Sequence, residues 1–260
     1  VKDTPYVSQL AANYSQLFHL FPKLQSSPMN ILKEISSSLL TLCFPQLCAG
    51  CGKDLPGEGL LCLRCTEALP LTGFHQYADN PVEKIFWGRL PLESATAQYY
   101  FTRDSSMQRL MHRFKYRGHR EAGEWLGRMM GRQLAESGRF SGVDALVPLP
   151  LFPSRERRRG YNQSFVLCQG IAAALNVPVL KDAVTRTLFT ESQTRKSRVE
   201  RWQNMEGRFE VANPSILQGR HVLLVDDVVT TGATLEACGR ELLQAKDLQL
   251  SIATLCYSHS

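Results

Sequence analysis

From Ala95 onward the arrangement of apolar and polar positions changes several times, and each change marks an element. Ala95 to Phe101 reads as a strand. Met107, Leu110, Met111 and Phe114 then recur at helical spacing behind Asp104, a residue type suited to an N-cap, and a second helix is expected from about His119 to Glu136. Val143 to Pro150 predicts a short strand ending in prolines, and Asn162 to Leu175 a helix. His221 to Asp226 is an apolar strand, Thr234 to Ala245 a helix, and Leu250 to Tyr257 a closing strand. Upstream, Ile31, Leu32, Ile35, Leu39 and Leu40 predict a short amphipathic helix. Apolar strands alternating with helices predict an α/β fold whose parallel sheet is covered on both faces. Ligands of such sheets bind beyond the C-terminal ends of the strands.

The strand Val222 to Val225 leads directly into two acids and then into Val228-Val229-Thr230-Thr231-Gly232-Ala233-Thr234. Carboxylates at Asp226 and Asp227 can accept hydrogen bonds from a ribose diol or help place a hydrated Mg²⁺ held mainly by substrate oxygens. Beyond them, small hydroxyl residues and Gly232 allow backbone N–H groups to curl around a phosphate at a helix start, where the macrodipole also favours an anion. Paired acids after an apolar strand also occur in Walker B elements, but the chain contains no GxxxxGK[ST] partner motif. The run VLLVDDVVTTGAT resembles the phosphoribosyl pyrophosphate motif of type I phosphoribosyltransferases. That resemblance implies contact of Asp226 and Asp227 with the ribose hydroxyls, and of Thr230, Thr231, Gly232, Ala233 and Thr234 with the 5-phosphate.

Cysteine usage adds a second feature. Cys48 and Cys51 form one CxxC pair, and Cys62 and Cys65 form another close behind, in a segment rich in glycine and too short to build its own apolar core. This spacing suits two knuckles around one tetrahedral zinc ion, a closed and therefore structural or recognitional site. Cys43, Cys168, Cys238 and Cys256 fall on apolar faces and read as buried small hydrophobes. The pattern favours a reducing compartment. A length of 260 residues accommodates an α/β domain with a small appendage, and the net charge of +6 suits a polyanionic partner without demanding nucleic acid. Neither a run of about 18 uncharged apolar residues nor a secretory leader pattern is recognisable, so a cytoplasmic protein is expected.

Between Pro150 and the next helix lies Ser154-Arg155-Glu156-Arg157-Arg158-Arg159-Gly160-Tyr161-Asn162-Gln163, read as a basic loop. Arg159 there can grip pyrophosphate bidentately. Arg157 and Arg158 can equally touch a phosphodiester backbone, with Tyr161 as a stacking face for a base. Lys115 reads either as a solvated lysine at a helix end or as a ligand for substrate.

Taken together, the paired cysteines, His-Arg-Phe-Lys115-Tyr116, Val-Pro-Leu-Pro, Arg-Arg-Gly-Tyr-Asn-Gln, the late residues Gln193, Arg201 and Asn204, and LLVDDVVTTGATL resemble the ComF family of late competence proteins. The resemblance runs from about Leu39 to the C-terminus. It implies a type I phosphoribosyltransferase-like domain over residues 90–260 behind a helix and four-cysteine zinc ribbon or finger over 31–75, with 1–30 an unassigned extension. Glu191 to Phe209, rich in Gln, Arg and Asn, reads either as part of a hood over the site or as a mobile polar surface loop. The resemblance further implies phosphoribosyl pyrophosphate with Mg²⁺ as ligand, a structural zinc, and a role in uptake of single-stranded DNA during natural transformation. A ComFA-like helicase is the implied partner, and association with a membrane DNA-uptake machine would run through such partners. The alternative is an active phosphoribosyltransferase that displaces pyrophosphate with an unidentified nitrogenous acceptor.

Overall fold

In the computed structural model, which describes residues 47–55, 59–102, 105–116, 120–187 and 208–258, Val222 to Val225 run through the middle of a four-stranded parallel sheet. The strands are β1 (Ser94–Tyr100), β2 (Ala145–Pro148), β5 (His221–Val229) and β6 (Gln249–Tyr257), ordered β1-β6-β5-β2. A separate two-stranded antiparallel sheet pairs β3 (Val184–Thr187) with β4 (Arg208–Val211). Seven α-helices accompany them among the described residues: α1 (Leu63–Glu67), α2 (Pro81–Phe86), α3 (Ser106–Tyr116), α4 (Arg120–Glu136), α5 (Pro153–Arg159), α6 (Gln163–Leu175) and α7 (Ala233–Leu242). The expected helix around Ile31 to Leu40, and the residues Cys43, Asp104, Gln193, Arg201 and Asn204, lie outside the described residues.

Strand alternation explains why the central strand is apolar throughout. Val222 and Leu224 point into one apolar cluster, with Val82 and Phe86 of α2 and Leu235, Cys238 and Leu242 of α7. Leu223 and Val225 point into the other, with Met107, Leu110 and Phe114 of α3, Leu126 and Met130 of α4, and Val166, Leu167 and Ile171 of α6. Both faces are dry, so each residue of the run is buried whichever way it points. The apolar face expected for α3 is the face that packs, and Ser105 caps the helix by accepting the Gln108 N–H through Oγ at 3.1 Å.

α4 and α6 lie unusually close. A Cβ on Gly127 would stand 2.3 Å from the Leu167 carbonyl oxygen, and one on Gly170 2.3 Å from that of Glu124. Their missing side chains let the two backbones approach, which fixes where α6 begins and hence where Asn162, Gln163 and Ser164 stand. The cysteine segment is not isolated from this core: Cys48, Ala49, Leu61 and Leu69 join the cluster containing Tyr99, Met107 and Met111, and the described residues from Cys48 onward belong to one compact unit.

Three features depart from the pattern read along the chain. β5 runs to Val229, three residues past Asp226, because Val228 and Val229 pair with Cys256 and Tyr257 of β6. Both acids therefore sit within a hydrogen-bonded strand. The basic segment expected as a loop is helix α5 from Pro153 to Arg159, with Pro153 at its first turn and Gly160 ending it. α2 and the paired strands β3 and β4 lack the length to show a period and come into view only in the structure.

Candidate functional site

At the C-terminal end of β5, Asp226 and Asp227 are each held by a different element. The Ser164 hydroxyl, in the first turn of α6, donates to Asp226 Oδ1 at 3.0 Å. Lys115 Nζ, in the last turn of α3, lies 2.9 Å from Asp227 Oδ2, with both side chains mostly buried. Lys115 is thus neither solvated nor remote but a partner of the acid pair. Burial, and then the neighbouring Asp227 carboxylate, raise the Asp226 carboxyl to about 7, against the opposing pull of the Asp227 amide, the Ser164 hydroxyl and the Lys115 ammonium.

This shift carries a stability consequence with a definite sign. Above pH 7 the folded protein holds a half-buried, partly desolvated charge that the unfolded chain keeps in water; as pH falls through 7 toward the ordinary 3.8, the folded carboxyl takes up a proton and that penalty fades. Asp226→Asn keeps an oxygen for Ser164 and removes the charge. The substitution should raise the thermal midpoint at pH 8 by about 3 °C or more, an advantage that shrinks toward pH 4. Calorimetric scans across that range showing no gain at pH 8 would refute the assignment of strain to Asp226.

Immediately downstream, Val228 to Leu235 line a small concavity of about 60 Å³ that also includes Asp226. Gly232 adopts φ +74° and opens α7, so the Ala233 and Thr234 amides lie in the first turn, where helix N–H groups have no intrahelical acceptor. Thr230, Thr231, Ala233 and Thr234 are exposed, whereas Gly232 is buried against α2. The arrangement can receive one tetrahedral anion at the helix start, with carboxylates a few residues away for hydroxyl groups.

The Arg-Arg-Gly-Tyr-Asn-Gln motif is mostly structural machinery. Arg159 Nη1 donates to Gln163 Oε1 at 2.6 Å. Asn162 N-caps α6 by accepting the Ser164 N–H, and its Nδ2 donates to the Leu149 carbonyl at the end of β2. The start of α6 therefore anchors Arg159 through Gln163 and Asp226 through Ser164. Tyr161 corrects the reading of a stacking face: its side chain is buried, its hydroxyl donates to the Phe114 carbonyl, and the Arg120 guanidinium covers its ring. Arg157 and Arg158 are exposed on α5.

Two residues at this site escaped the pattern along the chain. Ser164 carries no signal of its own beside Asn162 and Gln163. Arg89, just past α2, donates to the Thr231 carbonyl at 2.9 Å and to Glu236 of α7, a partner 147 positions away.

The four cysteines form a separate centre. Sulfur atoms of Cys48, Cys51, Cys62 and Cys65 all lie within 4.8 Å of one another, and the Cys51 and Cys62 sulfurs are 3.8 Å apart. Zinc–sulfur bonds of about 2.3 Å at tetrahedral angles place sulfurs about 3.8 Å apart, so the set fits a metal such as zinc. Burial opposes ionisation of Cys48, yet hydrogen bonds from the Cys62, Cys51 and Gly50 amides outweigh it and lower the thiol to about 6. A cleft of about 430 Å³ beside this centre is lined by Cys51, Cys62 and Cys65 on one side and by Ser106 and Arg109 of α3 on the other.

A family model described as "Phosphoribosyl transferase domain" matches residues 162–260, from the α6 cap through β5, the loop and α7 to the end. The chain is 31% identical over 214 residues to "DNA utilization protein YhgH" of Escherichia coli K12, spanning 81% of this chain and 89% of that protein. It is 29% identical to "Competence protein F" of Haemophilus influenzae, over 75% of this chain and 83% of the other. With "Competence protein ComFC" of Bacillus subtilis it shares 32% identity, over 61% and 62% respectively. The parallel sheet with flanking helices, the phosphoribosyltransferase-type segment and these relatives together place the chain in the ComF family of competence-related proteins.

Proposed function

We propose that the protein binds phosphoribosyl pyrophosphate together with Mg²⁺ at the end of β5 and acts in the handling of single-stranded DNA during natural transformation. The observation that carries the pocket is the adjacency of two differently held carboxylates, Asp226 and Asp227, to the anion-receiving start of α7. In this reading the Asp226 and Asp227 carboxyl groups accept the ribose 2- and 3-hydroxyls, while Thr230, Thr231 and the amides from Gly232 to Thr234 enclose the 5-phosphate. Lys115 and Arg159 supply positive charge toward the pyrophosphate. Bound Mg²⁺ would neutralise pyrophosphate oxygens, with the acids accepting hydrogen bonds from its water ligands.

The DNA role rests on the relatives' names, which speak of DNA utilization and competence, and on the exposed Arg157 and Arg158 of α5 as phosphodiester contacts. A helicase of the ComFA type is the partner that fits this role. No helix among the described residues is long and apolar enough to cross a membrane. We place the protein in the cytoplasm, working beside a membrane DNA-uptake machine through partners.

Titration calorimetry with phosphoribosyl pyrophosphate and Mg²⁺ tests the pocket. Native protein should bind, and Asp226→Ala/Asp227→Ala should bind at least about a hundredfold more weakly, since two hydrogen-bond acceptors for the ribose are gone. Equal affinities, or no binding by native protein, would overturn the reading. The match to a phosphoribosyltransferase model favours a second reading, an active transferase. Pyrophosphate released only when one particular nitrogenous acceptor is present would establish turnover.

A further inference from the structure

We propose that Arg89 is the positioning residue of the phosphate loop: it fixes the Thr231 carbonyl and draws the Glu236 carboxylate away from the anion site. This rests on the reading of residues 230–234 as the seat of the 5-phosphate.

Two problems face an anion at the start of α7. A carbonyl rotated toward the anion would repel it, and Glu236 places a carboxylate in the first turn of the very helix whose N–H groups should attract it. Arg89 answers both. One end of its guanidinium, Nη1, donates to the Thr231 carbonyl at 2.9 Å and to the Ile85 carbonyl at 3.0 Å. The other end donates through Nε to Glu236 Oε2 at 2.8 Å and through Nη2 to the same oxygen. Arg240 engages the remaining oxygen, Oε1, at 2.7 Å, so the carboxylate is held between two guanidinium groups. A planar fork is needed here because its donors diverge toward a carbonyl on one side and a carboxylate on the other; a lysine ammonium cannot span both at these lengths. The root of the fork is stiff, since neighbouring Ile85 and Phe86 bear on Gly232 and the Arg89 N–H donates to the Phe86 carbonyl at 2.9 Å.

The role predicts selectivity that a general loss of packing would not produce. Arg89 acts where the 5-phosphate sits and not where pyrophosphate sits. Calorimetry on the full chain with ribose 5-phosphate and, separately, with Mg²⁺ and inorganic pyrophosphate therefore separates the two. Arg89→Ala should bind ribose 5-phosphate about tenfold more weakly and pyrophosphate within twofold of native protein. Arg89→Lys, which keeps charge and stem, should bind ribose 5-phosphate about three- to fivefold more weakly, and it carries the test if the alanine variant fails to fold. Adding Glu236→Gln to either variant should recover part of the loss, because the unneutralised carboxylate is then gone. Native-like ribose 5-phosphate affinity in Arg89→Lys and Arg89→Ala, or equal loss for both ligands, would overturn the role of Arg89 while leaving the pocket standing. Failure of native protein to bind ribose 5-phosphate would instead remove the pocket itself.

Discussion

Stripping metal from Cys48, Cys51, Cys62 and Cys65 with a strong chelator is expected to release about one zinc ion per chain and to unravel the segment from Cys48 to Leu69. Structural zinc sites contribute roughly 10 kcal/mol or more at neutral pH, as much as the net stability of a whole domain. Among the described residues of this segment the other anchors are modest: α1 has no buried residue, and besides Cys48 only Ala49, Leu61 and Leu69 are buried, with Leu55 and Leu60 partly buried against the cluster. Because Cys48 is fully buried in the cluster containing Tyr99, Met107 and Met111, the damage should not stay local. Loss of the segment exposes that side of α3. Proteolysis followed by mass spectrometry should show new cleavages between residues 48 and 69, with increased binding of a hydrophobic dye. Cys65→Ser should reproduce both effects. An unchanged cleavage pattern after chelation, or metal-free native protein, would remove the structural role assigned to the centre.

Gly232→Val should lower affinity for phosphoribosyl pyrophosphate by about a hundredfold or more, with a much smaller fall in stability. Two separate penalties meet at this position. The backbone stands at φ +74°, where a β-branched residue is strained by roughly 1–2 kcal/mol, and a Cβ would lie 2.7 Å from Ile85 Cγ2 and 2.8 Å from Phe86 Cε1. Phe86 is buried and cannot withdraw, so the loop must lift away from α2, carrying Thr231 and the Ala233 amide out of place. Gly219 supplies the control. It has φ +68° but nothing within 4 Å of its Cβ position, so Gly219→Val should show the backbone penalty alone and bind normally. Similar affinities for both variants would show that contact with α2 does not shape the loop.

What could be read along the chain follows from range. The proposed phosphate loop is contiguous, so its acids, hydroxyls and glycine stand in order without help from the fold, and the paired cysteines are nearly as local. β5 is legible because burial on both faces leaves no polar position to interrupt it. α5 is not, since none of its residues is buried and a helix without an apolar stripe has no period to detect. α2 fails for another reason: six residues cannot establish a period, and its importance lies in contacts with a loop some 140 positions later. Tyr161 shows the converse error. An aromatic residue beside arginines looks like a stacking surface until Phe114, far upstream, is seen to accept its hydroxyl. Lys115 was ambiguous for the same cause, its meaning depending on Asp227.

α3 connects two of these features along a single rigid element. Ser106 and Arg109 at its start face the cysteine cleft, and Lys115 in its last turn meets Asp227. Across nine residues the helix spans about 14 Å, and each residue turns it by about 100°. An insertion or deletion of one residue between them would swing Lys115 out of line with Asp227 if the cysteine end stayed in place, or turn the cysteine end away if Lys115 stayed. The number of residues in this stretch of α3 is therefore as constrained as their identity, which makes the helix a phase gauge between the two centres.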